Sequence, residues 1–154
     1  MKSILSSSLA QILSRTLLGL VFIVASIDKI SAPDAFAASI EAYHLIPSFI
    51  INLFAIIIPW IELFAGIFLI SGVYLRSSAF LMCLLLAIFE IAIVSALLRG
   101  LTIDCGCFGK EHATPVSWGK AGEDLLLFVL GMIVYKYSDL SASGPTAPLE
   151  SPNQ

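Results

Sequence analysis

Charged residues are scarce in this chain of 154 residues: they make up 12% of it, against 58% for hydrophobic residues. Soluble globular proteins average about 25% charged and about 45–50% apolar residues, so the composition excludes that class. We therefore expect the lipid bilayer to be the main partner of this protein, and we expect no nucleic-acid partner.

Strand-like alternation of apolar and polar residues is also missing over any useful length. The chain instead contains four long apolar runs, each close to or above the roughly 20 residues that carry a helix across about 30 Å of hydrocarbon. The runs cover about residues 9–27, 46–72, 77–98 and 115–137. The prediction is an all-α fold, a bundle of four transmembrane helices.

The predicted membrane domain covers residues 9–137, between an N-terminal segment at 1–8 and a tail at 138–154. The tail is rich in Ser, Pro, Ala and Gly without periodicity, which is typical of disorder. At the other end, Lys2 and Arg15 followed by the small residues Ala25 and Ser26 resemble a cleaved secretory signal. The apolar run nevertheless continues back to Leu9, which favours a full span that stays in the protein.

A short surface helix is predicted between the first two spans. Pro33 suits a first helical turn, and Phe36, Ile40 and Tyr43 recur at positions i, i+4 and i+7. This amphipathic pattern is typical of a helix that lies on the membrane surface. Such a helix serves either as a lipid anchor or as a lid over the loop that follows the third span.

Cysteine is rare as well, yet two of the three cysteines, Cys105 and Cys107, flank Gly106 in the loop between the third and fourth runs. Residues i and i+2 can close a disulfide, and the glycine permits the tight backbone that this needs. A permanent bond would only tighten the loop, and a ring this small gains little stability from chain entropy. We therefore favour thiol–disulfide exchange, with Cys105 and Cys107 as the catalytic residues.

Two other groups in this loop support exchange, Lys110 and His112, because a nearby cation can lower the pKa of a thiol. A zinc site made from both cysteines, His112 and His44 is an alternative. One residue between the cysteines is too few for the usual zinc spacing, and we expect no metal. The third cysteine, Cys83, stands alone within the third span, which is typical of a small core residue.

Charged groups inside the spans are costly, so each suggests a function or a partner. At 1.5 Å per residue, Glu90 lies about 13 Å and Asp124 about 14 Å below the loop side, so the two carboxyl groups can meet at one depth. Close together they cannot both stay ionised cheaply, and one would carry a proton for transfer to a buried acceptor. The alternative is that Asp124 pairs with Lys120, one turn earlier.

A second set of polar groups lies in the first two spans. The depths of Arg15 and Glu62 predict a structural ion pair between them. Asp28 and Lys29 stand at the outer end of the first span, where they either pair with each other or line the cysteine loop. Either arrangement makes them supporting residues of the loop.

The orientation of the bundle does not follow from its basic residues, which normally mark the cytoplasmic side. They divide evenly, with four on each side: Lys2, Arg15, Arg76 and Lys136 on the terminal side, and Lys29, Arg99, Lys110 and Lys120 on the loop side. A cysteine pair kept for exchange suits an oxidising periplasm better than a reducing cytosol. We therefore expect a multi-pass protein of a bacterial inner membrane, with both termini in the cytoplasm and the cysteine loop in the periplasm.

The most specific part of the sequence is the signature Cys105-Gly106-Cys107-Phe108-Gly109, followed by Trp118 and Asp124. A spaced set of residues precedes it: Arg15, Leu18, Gly19, Phe22, Asp28, Lys29, Pro33, Phe36, Tyr43, Pro47, Pro59, Glu62 and Gly66. Over roughly residues 15–124 the chain resembles the DoxX/MauE group of small four-helix bacterial membrane proteins. The cysteine signature is similar to the MauE-like branch.

The resemblance implies a redox-associated membrane protein. MauE-like proteins are linked to maturation of methylamine dehydrogenase, whose small subunit is rich in disulfides, alongside a thioredoxin-like partner. DoxX-type relatives are linked to thiosulfate oxidation that feeds quinone. One position departs from the branch, because Glu123 stands where a basic residue is expected.

We therefore expect a thiol–disulfide relay that exchanges with a periplasmic thioredoxin-like or disulfide-rich client and passes electrons to a membrane quinone, as a thiol–disulfide/quinone oxidoreductase would. One rival is a non-enzymatic anchor or assembly subunit whose cysteine pair is structural. Another is a small transporter with a path along Arg15, Glu62 and Glu90. A homodimer would supply the inverted repeat that such a transporter needs.

Overall fold

The computed structural model describes residues 8–106 and 115–142 of the chain. Regular structure in these two ranges consists of five helices: α1 (Ser8–Ser31), α2 (Pro33–Ala42), α3 (Ser48–Ser71), α4 (Leu75–Leu98) and α5 (Trp118–Ala142). The all-α prediction is confirmed. Three residues predicted for the site, Cys107, Lys110 and His112, lie outside the described residues.

Three helices are long and apolar enough to cross a membrane, namely α1 from Leu9 onward, α3 and α4. The chain is therefore a multi-pass membrane protein. Helix α5 has a similar length of 25 residues, but Lys120, Glu123 and Asp124 occupy its first two turns, and a fourth span stays a prediction. The helix continues to Ala142, beyond the predicted end of the apolar run and into the predicted tail.

The predicted surface helix is present as α2. Pro33 occupies its first turn, where the missing N–H would have had no helical partner. The helix runs to Ala42, and His44 then takes a left-handed backbone conformation with φ 51° that turns the chain toward α3. The side chains of Phe36 and Tyr43 are buried, so its apolar stripe packs on the bundle.

Helix α5 begins three residues later than the predicted run, which starts at Pro115. Ser117 caps the helix, since its hydroxyl accepts a hydrogen bond of 3.2 Å from the backbone amide of Lys120. Pro115 instead forms an isolated antiparallel bridge with Asp104. This extended pairing holds the chain out of a helical conformation until Ser117.

Helices α1 and α3 approach each other closely at a pair of glycines. A methyl group on Gly19 would lie 2.9 Å from the carbonyl oxygen of Gly66, and one on Gly66 would lie 3.0 Å from the carbonyl oxygen of Gly19. Small residues let membrane helices pack backbone to backbone, which drives their association where the surrounding lipid is as apolar as the side chains. The contact fixes the antiparallel register, in which residues after Gly19 face residues before Gly66.

The centre of the bundle is built from all four long helices. Helix α1 packs mainly on α3, and α4 packs mainly on α5. The two pairs meet in one buried core of Leu18, Phe22, Ala65, Leu69, Ala79, Met82, Leu85, Leu86 and Val134. Many outward-facing side chains are large and apolar, as expected of a surface that faces lipid.

Gly19→Ala should destabilise the protein, because the new methyl group meets a backbone oxygen that can move only if α3 moves. We expect a loss of about 1–3 kcal/mol in the free energy of unfolding, the usual cost of overpacking. Gly122→Ala is the matched control, because a methyl group there has nothing within 4 Å. Thermal unfolding of the purified proteins in detergent measures both, and equal midpoints would contradict the glycine contact.

Candidate functional site

A buried ion pair joins α1 to α3. The ammonium nitrogen of Lys29 lies 2.8 Å from both carboxylate oxygens of Glu62. The two side chains are only 3% and 2% exposed. Two charges taken out of water need this double hydrogen bond, because neither would be stable there alone.

The predicted Arg15–Glu62 pair is wrong, since Glu62 pairs with Lys29. Depth along the membrane normal placed Arg15 within reach, but helical side chains tilt toward the N-terminus of their own helix. In the antiparallel pair of α1 and α3, this tilt brings Lys29 and Glu62 together and carries Arg15 away. Arg15 lies instead over the turn after α3, where a methyl group on Gly72 would be 2.9 Å from its Nη1 atom.

The same ammonium group contacts two further helices through aromatic rings. The Nζ atom of Lys29 lies 5.0 Å from the ring centroid of Phe36 on α2 and 4.8 Å from that of Phe89 on α4. Cation–π contacts at such distances are attractive, more so when the cation is desolvated. Lys29 therefore holds α1, α2, α3 and α4 together at one point.

Helix α2 and Tyr43, the residue after it, contact the described start of the cysteine loop at Cys105 and Gly106. The hydroxyl of Tyr43 donates to the carbonyl oxygen of Cys105 at 2.9 Å, and the guanidinium of Arg99 donates to the carbonyl of Tyr43 at 2.7 Å. Gly106 sits directly against the helix, because a Cβ on it would lie 2.8 Å from the Cβ of Ser39. Of the two roles predicted for the surface helix, these contacts favour the lid.

The described ends of the cysteine loop are fixed by backbone hydrogen bonds. Helix α4 ends in a Schellman motif: Gly100 has φ +67°, and the amide of Leu101 donates to the carbonyl of Ala96 at 3.0 Å. Farther along, the amide of Val116 donates to the carbonyl of Ile103 at 2.9 Å. These hydrogen bonds fix the position of the chain where it leaves α4 and where it approaches α5.

Cys105 is buried beneath this lid. Its side chain is 3% exposed, packs with Ile93 of α4 and Ala121 of α5, and is disulfide-bonded. Cys83 is free and buried in α4 against Gly131, as predicted for a core residue. Among the described residues, no three His, Cys, Asp or Glu side chains are grouped in a way that could hold a metal ion.

A cavity of about 470 Å³ opens beside the loop, between α2 and residues 102–106. Both Asp28 and Lys29 line it. Two further carboxylates at its edge, Asp34 and Asp104, are exposed. Gly106, next to the buried Cys105, can therefore be reached from the surface of the protein through this cavity.

The carboxyl groups of Glu90 and Asp124 are close enough to interact electrostatically. One oxygen of each, Oε2 of Glu90 and Oδ2 of Asp124, is buried and has no hydrogen-bond partner in the described part of the chain. Lys120 bonds Oε2 of the exposed Glu123 at 2.8 Å. Lys29 and Lys120 both act on Asp124 as nearby positive charges.

Sequence reasoning missed the roles of Tyr43, Arg99 and Phe89. Tyr43 was assigned only to an apolar stripe, although a buried phenol usually finds a hydrogen-bond partner. Arg99 follows the last turn of α4, where its long side chain can reach back to another element. Phe89 precedes Glu90 and gives no signal of its own, because nothing in the sequence shows that Lys29 faces it.

Comparison with known proteins gives a consistent result. The chain matches the family model "Methylamine utilisation protein MauE" over residues 7–137. It is 28% identical to methylamine utilization protein MauE of Paracoccus denitrificans over 121 residues, which are 78% of this chain and 65% of that protein. The MauE of Methylorubrum extorquens is 31% identical over 111 residues, 71% of this chain and 60% of that protein.

A third relative, the MauE of Methylophilus methylotrophus, is 30% identical over 139 residues, which are 88% of this chain and 71% of that protein. The chain spans less than two thirds of the length of the first two relatives. No solved structure matches the chain.

Removing one partner of the Lys29–Glu62 pair should be far more damaging than removing both. Lys29→Met or Glu62→Leu alone leaves a buried charge and should cost about 3–5 kcal/mol in the free energy of unfolding. The double variant should recover most of that loss. Glu123→Gln, at the exposed Lys120–Glu123 pair, is the control and should leave the unfolding midpoint close to that of the wild-type protein. Thermal unfolding of the four variants tests this, and additive single losses would contradict the coupling.

Burial, together with the negative charge of Asp124, raises the pKa of Tyr43 from 10.0 to about 12. The folded protein therefore holds this proton more tightly than the unfolded chain, so the stabilisation is complete below about pH 10 and is lost as the pH rises toward about 12. Tyr43→Phe should show a smaller loss of stability across that interval, because it has no phenol to ionise. Melting curves over a pH series measure this.

Tyr74→Phe removes an exposed phenol and is the control for the Tyr43 variant. We expect it to follow the wild-type protein. If Tyr43→Phe also followed the wild-type curve, the buried phenol of Tyr43 would not be the source of this loss of stability at high pH.

Proposed function

This chain belongs to the family of methylamine utilisation protein MauE, and from that premise we propose that it serves methylamine utilisation by thiol–disulfide exchange at Cys105 and Cys107. The name of the family indicates the process, methylamine utilisation, and the cysteine loop indicates the chemistry, thiol–disulfide exchange. Because the chain covers only part of its relatives, the substrate and partner below are part of the proposal.

The observation that carries the proposal is the placement of Cys105. Its backbone is held by the hydroxyl of Tyr43 at 2.9 Å, and its neighbour Gly106 lines a cavity that opens at the surface. A disulfide that exchanges needs a fixed position and a path for an incoming thiolate along the S–S axis. The hydrogen bond from Tyr43 supports the first requirement, and the cavity at Gly106, the residue after Cys105, supports the second.

In the proposed exchange, a thiolate of the partner attacks the Cys105–Cys107 bond and forms a mixed disulfide. The second thiol of the partner then releases it, so the partner gains a disulfide while Cys105 and Cys107 become a dithiol. The partner is a thioredoxin-like protein or a disulfide-rich client such as a methylamine dehydrogenase-like enzyme. Lys110 and His112 would favour the thiolate form of the pair.

The dithiol must be reoxidised for another turnover, and a membrane quinone is the proposed acceptor. The protons that leave with the electrons would pass through Glu90 and Asp124, whose carboxyl groups are near enough to interact electrostatically. The loop would face the periplasm of a bacterial inner membrane, with both termini in the cytoplasm and α5 as a fourth span.

The burial of Cys105, which is 3% exposed, favours one alternative. A permanent structural disulfide would be buried in the same way, and the protein would then be a non-enzymatic anchor or assembly subunit. The two functions differ in whether the cysteines change oxidation state, and an experiment on the oxidation state decides between them.

The redox state of the loop should respond to the cell's thiol balance. Acid quenching followed by alkylation with a maleimide–polyethylene glycol reagent should find Cys105 and Cys107 in both states, with the reduced form increasing when a membrane-permeant reductant is added. Cys107→Ser should abolish methylamine-dependent growth and should trap a mixed disulfide between Cys105 and the partner.

Cys83→Ser is the matched control, because Cys83 is buried and free; it should leave growth unchanged. If the loop stayed in one state under all conditions and Cys107→Ser supported normal growth, the exchange function would be wrong and the anchor would be the better assignment.

A further inference from the structure

A second cavity, of about 340 Å³, lies between α1, α4 and α5. Its walls are largely apolar and include Val21, Phe22, Leu126 and Leu127. Leu126 is 67% exposed at the rim, on a helix that would face acyl chains in the bilayer. We call this cavity the α1–α5 crevice; it is open to a molecule that arrives through lipid.

The inner end of the α1–α5 crevice is polar. Lys29, Glu62 and Asp124 line it, and Oδ2 of Asp124 is buried there without a hydrogen-bond partner in the described part of the chain. An unsatisfied buried carboxyl group is costly, so a ligand that supplied the missing hydrogen bond would be favoured. Hydrocarbon alone could not supply it.

The charges at this end indicate a neutral ligand. Glu62 already neutralises Lys29 through two bonds of 2.8 Å, and Lys120 is bonded to Glu123. Asp124 remains, and the carboxyl group of Glu90 is near enough to act on it electrostatically. Two carboxyl groups this near each other cannot both stay ionised cheaply, so one carries a charge and the other a proton. The charged group would repel an anionic lipid headgroup, whereas the protonated group could donate a hydrogen bond to a carbonyl oxygen.

On both α4 and α5, a residue that lines the α1–α5 crevice lies one helical turn from a residue that packs against Cys105. Phe89 lines the crevice, and Ile93, four residues later on α4, packs against Cys105. On α5, Asp124 lines the crevice, and Ala121, three residues earlier, packs against Cys105. One turn is about 5.4 Å along the helix axis, so a ring at the inner end would be close to Cys105.

We propose that the α1–α5 crevice binds a lipid-soluble quinone, with its ring beside Asp124 and its isoprenoid tail leaving past Leu126 into the bilayer. The inference rests on the proposed function and gives its electron acceptor a site. Oxidation of the Cys105–Cys107 dithiol to a disulfide releases two electrons and two protons. The quinone takes up both pairs and leaves as the quinol, so the reaction is balanced.

The test uses the full-length protein in lipid nanodiscs and a photoreactive azido derivative of a short-chain ubiquinone. Illumination should label residues of the crevice. Leu126→Trp, which places a bulky ring at the rim, should lower the labelling about tenfold, equivalent to about 1.4 kcal/mol of binding free energy. Leu125→Trp is the matched control, because Leu125 is also exposed, at 51%, and does not line the crevice.

A second measurement follows reoxidation of the dithiol by decylubiquinone without oxygen. The rate should fall with the labelling in Leu126→Trp, while exchange with a protein dithiol stays unchanged in both tryptophan variants. Labelling outside the crevice, equal labelling of the two variants, or equally strong labelling by an azido-alkane without a quinone ring would overturn the inference.

The two proposals fail in different ways. Quinone labelling of the crevice with cysteines that never change state would refute the exchange function and leave the binding site standing. Cysteines that exchange with a protein partner, in a protein that no quinone labels, would refute the binding site alone.

Discussion

The site depends on the contact between the ammonium group of Lys29 and the carboxylate of Glu62. Each of these groups would be unstable alone in a medium of low dielectric constant, so the pair forms only when α1 and α3 have the right register and rotation. The rings of Phe36 and Phe89 close around the same ammonium group. One charge therefore aligns four helices, which packing between apolar surfaces in lipid would specify poorly.

The alignment extends from this pair to the cysteine loop through α2. Phe36 ties α2 to Lys29, and Tyr43 at the end of the same helix donates its hydrogen bond to Cys105. Arg99 connects Tyr43 to the end of α4. A change in the ion pair should thus move Cys105, because Lys29 and Cys105 both contact the same short segment: Phe36 of α2, which has only ten residues, and Tyr43 directly after it.

Length and composition were enough to predict the long helices, since a run of about 20 apolar residues has few other structures open to it. Counting depth also predicts that Glu90 and Asp124 lie at one level. The same count failed for Arg15 and Glu62, because depth says nothing about the direction in which a side chain leaves its helix. The bridge between Asp104 and Pro115 could not be predicted either, since it needs both ends of the loop to be in place.

The position of Glu62 in the chain has a consequence for biosynthesis. A charged side chain near the middle of a helix costs about 2.5–3.5 kcal/mol during insertion by the translocon, and Glu62 is the fifteenth of the 24 residues of α3. Lys29, near the end of α1, can extend to the interface while it is unpaired. Because α1 precedes α3 in the chain, the cation is synthesised before the acid that pairs with it. The earlier helix α1 thus supplies the cation that lowers the cost of placing Glu62 of α3 in the membrane.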